Sequence, residues 1–341
     1  MKKVVHIVDV RCPSISAVDR KLISHVQSQV SSYNLDNISR TEAYLSFFRD
    51  HPEIKWSFLA HMVSRNAGWN MCDLEGQWLP KVMGKEKRML LYETYERANW
   101  LIFHDAFPQL LLYQYSTKMN APMFHLLPFF HVSRFMEREW QRFWTTRDQE
   151  RLLIALIINE QNVIQQPVIK HPFYRKRVFH SLLFSFQDWF HYSCVLFPTI
   201  QGEIFGASVN GFKSVSKRID LGKRLSAILF HQRLYPFFFE FAQRTVHTGS
   251  RFDYEQYLLP GHVRTTPELR STFPLTQHHI QYQDWTRMRK EKSWWFTRPV
   301  KHRHTIVLTK WYKDKQRRLH RGILIQQLFM PQRTRKKRVR E

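Results

Sequence analysis

Apolar residues recur at helical spacing along most of this chain. Val18, Leu22 and Val26 lie four residues apart, which places them on one face of a helix with Ser16 as a candidate N-cap. Comparable periods continue to about residue 260 and weaken beyond Pro260. The pattern predicts an all-α protein built around an irregular multi-helix domain.

Capping residues and helix breakers predict where individual helices begin and end. Ser133 and Asp148 precede apolar-periodic segments, and Ser39 with Glu42 has the spacing of a capping box. A helix from Glu53 is predicted to end at Gly68, because glycine is favoured directly after a helix. The next helix is predicted to end at Pro108, and a long helical pattern after residue 214 to kink or break at Pro236.

The chain shows no internal repeat, and its character changes once along its length. We expect a helical core domain over 1–260 that opens with a short extended segment. A basic, aromatic-rich appendage would follow over 261–330. A run of like charges over 331–341 predicts a disordered basic tail.

Composition narrows the class of protein. Hydrophobic residues make up 43% and aromatic residues 15% of the 341 positions, which is enough to fold. Three widely spaced cysteines fit neither a disulfide framework nor a zinc knuckle and favour a reducing cytosol. Neither the N-terminus nor the apolar stretch 178–200 has the uninterrupted hydrophobicity of a signal peptide or a membrane span. We expect a cytoplasmic location. Peripheral attachment to the inner face of the membrane is the alternative.

Positive charge is concentrated near the C-terminus, where residues 261–341 hold 21 Lys/Arg and 5 Asp/Glu. Clustered cations attract nucleic acid phosphates or an acidic membrane surface, whereas a solubilising tail would need no partner. Both interpretations stay open. The residues predicted to bind an anion are Arg298, Lys301, Arg303, Arg317, Arg318, Arg321, Arg335, Lys336, Lys337 and Arg338.

Familiar catalytic and cofactor motifs are missing from the sequence. The stretch 206–214, "GASVNGFKS", departs from a phosphate-binding loop because Phe212 separates Gly211 from Lys213, so we interpret it as a turn into a helix. The 18 histidines include neither an H-E-x-x-H nor an E-x-x-H pair. We therefore predict neither a metal site nor a cofactor.

Polar groups that interrupt apolar helices are the remaining candidates for chemistry. A buried polar group must be hydrogen-bonded or ion-paired, so these residues should meet one another. Either they line a pocket with acid, base or cation-binding groups, or they form an interior network that fixes the helix register. The candidate cluster consists of Arg65, Asn66, Asn70, Glu96, Arg97, Asn99, Asp105, Asn159, Glu160 and Asn162.

Six segments of the sequence, in this order along the chain, carry a family resemblance. They are "SRNAGWNMCDLEG", "ERANWLIFHDAFPQLLLY", "VSRFMEREWQRFW", "LLIALIINEQNVI", "KRIDLGKRLSAILF" and "HTGSRFDY". Over roughly residues 40–260 the chain resembles DUF2515, a family of Bacillus and related Firmicutes. The resemblance implies a helical, cytosolic protein and supplies no activity, cofactor or catalytic residue.

Three functional hypotheses follow. The first is a non-catalytic cytosolic protein whose basic C-terminal region contacts nucleic acid or another anionic surface. The second is an enzyme that uses the candidate polar cluster between its central helices. The third is a peripheral membrane protein with aromatic residues around 178–200 or 294–296 beside the basic face.

Overall fold

Helices dominate the described chain, which confirms the all-α class. The structure is a computed structural model that describes residues 16–174, 194–208, 211, 213–258, 261, 263–278, 284–300 and 306–329. Three sequence-based expectations lie outside these residues: the extended N-terminal segment, most of the apolar stretch 178–200, and the disordered basic tail 331–341.

The longer helices follow one another with short connections. They are α1 (Ala17–Tyr33), α2 (Asn37–Asp50), α3 (Lys55–Asp73), α4 (Lys85–Met119), α5 (Arg134–Thr146), α6 (Gln149–Val163), α7 (Val215–Leu229), α8 (Tyr235–Arg244), α9 (Phe252–Leu258) and α10 (Thr309–Phe329). Shorter helical turns occupy Leu79–Lys81, Phe124–Phe130, Gln165–Ile169, Pro172–Tyr174, Leu269–Thr272, Trp285–Arg287 and Trp294–Thr297.

Side-chain caps define several helix starts. Ser16, Ser133 and Asp148 each accept a hydrogen bond from the backbone N–H three residues on, as the sequence predicts. The prediction of a capping box at Ser39 is wrong, because α2 begins two residues before Ser39 and Asp36 caps the helix. Ser39 lies in the first turn and donates its backbone N–H to Asp36 at 2.7 Å.

The predicted helix end at Gly68 is also wrong, because α3 continues to Asp73. Gly68 lies in the middle of the helix, where the start of α2 and the loop after α8 press against it. A Cβ there would overlap Asn37 Oδ1 and lie 2.9 Å from His247 Cε1. Glycine is needed here for close packing, not for a left-handed turn.

Pro108 does not end its helix either. α4 runs through it to Met119, with Phe107, Leu110 and Leu111 buried around it. A proline inside a helix costs about 3 kcal/mol, while full burial of each such side chain contributes roughly 1.5–3 kcal/mol. Tertiary packing therefore outweighs the local signal. At Pro236 the predicted break is confirmed: α7 ends at Leu229, and the proline lies in the first turn of α8.

A small β-hairpin departs from the predicted helical pattern. Strands β1 (Cys194–Pro198) and β2 (Ile204–Ser208) pair antiparallel, with Leu196 opposite Gly206. The segment before α10 adds to the second strand: Leu308 donates to Ile204 O at 2.7 Å and Gly206 donates to Ile306 O at 3.1 Å. These hydrogen bonds anchor the start of α10 to the hairpin.

The interior is continuous through the middle of the fold. A large apolar cluster joins α2 to α8 and the hairpin, with Trp56, Trp69 and Trp140 among its fully buried side chains. Residues late in the chain complete it, since Trp295 and Tyr312 are also buried in this cluster. Among the described helices, none has the length and hydropathy of a membrane span.

Candidate functional site

The polar residues predicted to form one cluster belong to several separate contacts. Glu96 of α4 accepts from Arg40 Nη2 at 2.6 and 2.7 Å, and both side chains are 2% exposed or less. Asn34 Oδ1 accepts from Arg40 Nη1 at 3.1 Å. Burial alone would raise the pKa of Glu96, but the Arg40 guanidinium holds it below its usual value. This contact is a buried ion pair between α2 and α4.

A second group lies around Asp105 and Asn159. Asp105 Oδ2 accepts from Asn159 Nδ2 at 2.5 Å and from Gln109 Nε2 at 2.8 Å. The Asn159 carbonyl accepts from Ser133 and Trp285, both at 2.8 Å. Burial raises the pKa of Asp105 to about 7. Two central helices, the start of α5 and the turn at Trp285 are joined through these amides.

Glu160 and its neighbours make mainly local contacts. Its carboxylate accepts from Trp56 Nε1 at 3.0 Å and from Gln161 Nε2 at 2.7 Å, and burial raises its pKa to about 7. Asn99 and Asn162 each donate to the carbonyl four residues back, at 2.8 Å. Arg97 donates to Pro167 O at 3.3 Å.

On α3, Arg65 and Asn66 point to different neighbours. Arg65 Nε donates to His61 Nε2 at 3.2 Å, and Nη2 donates to Thr245 O. Asn66 both accepts from the N–H of Leu196, at 2.8 Å, and donates to its carbonyl, at 2.7 Å. The asparagine side chain therefore holds the first strand of the hairpin against α3.

The C-terminal end of α3 leads to a different polar group, centred on Arg251. Its Nε donates to the Asp73 carboxylate and its Nη1 donates to Tyr254 Oη at 2.6 Å. Asn70 Oδ1 lies 3.5 Å from Nη2. Tyr312 of α10 extends the chain of contacts by donating to Glu255 at 2.7 Å. One arginine and two carboxylates thus meet where α3, α9 and α10 converge.

This group lines a cavity of about 270 Å³. Its lining includes Asp73, Arg251 and Glu255, which we call the floor, together with Trp78 and Leu79 of the turn after α3. α10 supplies further lining residues, which we call the wall: Tyr312, Lys313, Gln316, Arg317 and His320.

The floor and the wall of the cavity differ in charge. Burial raises the pKa of Asp73 to about 7, against the opposing pull of the Arg251 guanidinium. Asp73 Oδ2 is held by Arg251. The wall carries two cations, Lys313 and Arg317. A ligand in this cavity would meet hydrogen-bond acceptors on the floor and cations along α10.

Sequence reasoning missed Arg251, Glu255 and Tyr312 as site residues. Asp73 lies in the "SRNAGWNMCDLEG" segment and Arg251 in "HTGSRFDY", both of which contribute to the family resemblance. Their separation of 178 positions hides the contact in a single sequence. Each segment carries a charged residue that could have been noticed as a candidate. The sequence does not indicate that these two charges pair.

The predicted anion-binding residues fall into two sets. Arg317, Arg318 and Arg321 are exposed on α10. Arg298 pairs with Asp220 at 3.4 Å and lies over the Trp294 ring. The others lie outside the described residues: Lys301, Arg303, Arg335, Lys336, Lys337 and Arg338. Within the described chain, no three His, Cys, Asp or Glu side chains are grouped to hold a metal ion.

The architecture defines a class of helical protein with a β-hairpin that anchors a basic C-terminal helix over a polar cavity. The chain belongs to the DUF2515 family, described as a protein family of unknown function, which matches residues 32–317. It is 46% identical over 310 residues to "Uncharacterized protein YppC" of Bacillus subtilis (strain 168), covering 90% of this chain and 96% of that protein. No solved structure gives a significant match.

Proposed function

We propose that the protein is a non-catalytic, cytoplasmic nucleic-acid-binding protein whose helix α10 contacts the phosphate backbone. The observation that carries the proposal is the division of α10 into two faces. Tyr312, Leu319 and Ile323 are buried against the body. Lys310 and Arg321 lie on the opposite, exposed side, and Arg317 is also exposed there although its side chain lines part of the cavity as well.

The use of the apolar face favours nucleic acid over a membrane. A helix that lies in a bilayer interface buries its apolar side among the lipids. In α10 most of that side packs on the protein through Tyr312, Leu319 and Ile323, whereas Leu324 and Ile325 near the end of the helix are exposed. This leaves mainly the charged side for a partner. Arginine is suited to this role because its planar guanidinium binds phosphate through two parallel hydrogen bonds.

The polar groups within the helices support a structural role in this proposal. Glu96 is paired with Arg40, and Asp105 Oδ2 accepts from two amides, so both groups have hydrogen-bond partners inside the protein. The cytoplasmic location rests on the cysteine pattern of the sequence. Cys72 and Cys194 are both free and buried.

Charge reversal on α10 tests the proposal without exposing the core. Arg318→Glu with Arg321→Glu changes two exposed side chains, whereas removing the helix would uncover Tyr312 and Leu319. We expect the double variant to bind a single-stranded oligonucleotide about tenfold or more weakly at low salt, because fewer phosphates are neutralised by the helix. Fluorescence anisotropy would measure the affinity.

The matched control is Lys87→Glu with Arg142→Glu, which makes the same charge change at exposed positions of α4 and α5. Equally weakened binding in both double variants would mean that net charge, not α10, drives binding. If the α10 double variant binds phosphatidylserine vesicles more weakly but oligonucleotides equally well, the partner of α10 is a membrane surface and not nucleic acid.

A further inference from the structure

The floor and the wall of the cavity beneath α10 differ in the chemical groups that they offer. Asp73 Oδ2 accepts from Arg251, whereas no described residue donates to its second oxygen, Oδ1. The Arg251 guanidinium is engaged by Asp73, Tyr254 and Asn70. The floor therefore offers a ligand a carboxylate acceptor instead of a free cation.

The wall offers a cation. Lys313 lines the cavity, is partly exposed, and has no hydrogen bond or ion pair with a described residue. Arg317 lines the same wall and, among the described residues, pairs with the exposed Asp314 at 3.4 Å. An anionic group bound here would replace water around two cations at the edge of the cavity.

The size of the cavity limits its ligand to one small molecule. Its volume of about 270 Å³ lies near the lower end of the roughly 300–1,000 Å³ range of small-molecule sites. Such a ligand needs a hydrogen-bond donor for the floor and an anionic group for the wall. A nucleotide has both when its base carries an exocyclic amino group.

We infer that the cavity binds one nucleoside monophosphate unit, with the exocyclic amine of its base on Asp73 and its phosphate on Lys313 and Arg317. Carboxylates accept hydrogen bonds from the cytosine amine in protein–nucleic acid complexes. The unit is a free nucleotide or the end of a strand, since both present the same groups. The inference deepens the proposed function, because the strand-end case rests on α10 binding nucleic acid.

Cytidine and uridine monophosphates provide a matched pair, because the amine of one is a carbonyl oxygen in the other. In calorimetry at a pH above the Asp73 pKa of about 7, we expect the wild-type protein to bind cytidine monophosphate roughly tenfold or more tightly, since the uridine carbonyl would then face the Asp73 carboxylate. Asp73→Asn should remove or reverse this preference, because an amide can donate to the carbonyl. Equal affinities in the wild type, or no binding of either nucleotide at millimolar concentration, would overturn the inference.

Lys313→Gln tests the phosphate end with a side chain that has no described partner. We expect it to weaken cytidine monophosphate binding about tenfold while leaving the weaker binding of cytidine unchanged. An equal effect on both ligands would contradict a phosphate contact. This variant also keeps the test decisive if Asp73→Asn, which removes the Arg251 ion pair, does not fold.

Competition distinguishes the source of the nucleotide. An oligonucleotide that ends in dC should displace cytidine monophosphate better than one ending in dT if strand ends are bound. Displacement by neither supports a free nucleotide. The Arg318→Glu, Arg321→Glu variant separates the two proposals. If it binds oligonucleotides as well as the wild type does, α10 is not a nucleic acid surface. If it still prefers cytidine monophosphate over uridine monophosphate, the inference about the cavity stands.

Discussion

At the scale of single residues, Asp105 is a buried carboxyl group whose hydrogen-bond donors are amides. Its pKa of about 7 lies above the 3.8 that is usual for aspartate. Between these values the folded protein binds more protons than the unfolded chain, so the free energy of unfolding falls as pH rises through this window.

Asp105→Asn should remove that dependence, because an amide keeps an acceptor for Gln109 and Asn159 without becoming charged. Relative to wild type, we expect the variant to gain about 2 kcal/mol between pH 5 and pH 8. Urea unfolding at the two pH values measures the difference. Asp50→Asn, at an exposed position, serves as the control; a similar gain there would show that the effect is not specific to Asp105.

Residue-level prediction from the sequence succeeded in part for burial, since Arg97, Asn99, Asp105 and Glu160 as whole residues are only half-buried, and it failed for most partners. Glu96, Asn159 and Asn162 interrupt apolar helices, and all three are buried and hydrogen-bonded. The partner of Glu96 is Arg40, 56 positions away. Such a pairing depends on how two helices rotate against each other, which is decided by packing across the whole core and leaves no local pattern.

At the scale of elements, Gly68 shows how packing can override helix propensity. Alanine is favoured over glycine inside a helix by about 1 kcal/mol, so local propensity predicts that Gly68→Ala stabilises α3. The close approach of Asn37 and His247 reverses this expectation.

We expect Gly68→Ala to lower the free energy of unfolding by about 1–3 kcal/mol, the usual cost of overpacking a dense core. Thermal or urea unfolding measures it. Gly84→Ala is the matched control, since nothing lies within 4 Å of a Cβ there, and it should change stability by less than about 1 kcal/mol. A stabilised Gly68→Ala would mean that α2 and α3 separate easily.

The elements that could be predicted were those whose signals are local. Ser133 and Asp148 cap their helices by hydrogen bonds to the same turn. The ends expected at Gly68 and Pro108 were wrong because burial on several sides holds α3 and α4 together through these residues. The hairpin escaped prediction because its strands have five residues each and are completed by residues 306–308.

At the scale of the whole molecule, the electrostatic proposal predicts a salt dependence. Residues 330–341 hold six of the Lys/Arg side chains and one acidic residue. If they bind a phosphate backbone, a chain that ends at residue 329 should show a shallower slope of log K against log salt, by about 0.7 for each single-strand phosphate that these side chains neutralise. Oligonucleotide titrations at salt concentrations from about 50 to about 200 mM would measure the slopes. Identical slopes would favour the solubilising interpretation of this segment.

The anchoring of α10 by the hairpin determines when a newly made chain can acquire its cavity. The floor comes from residues near 73 and 251, and the wall comes from residues after 309. During synthesis the helices of the first half can fold as they leave the ribosome, whereas the last wall must wait for the hairpin to receive residues 306–308. The apolar surface that α10 covers stays exposed until then. If the cavity binds a ligand as we propose, binding can begin only after the wall residues 312–320 have been made.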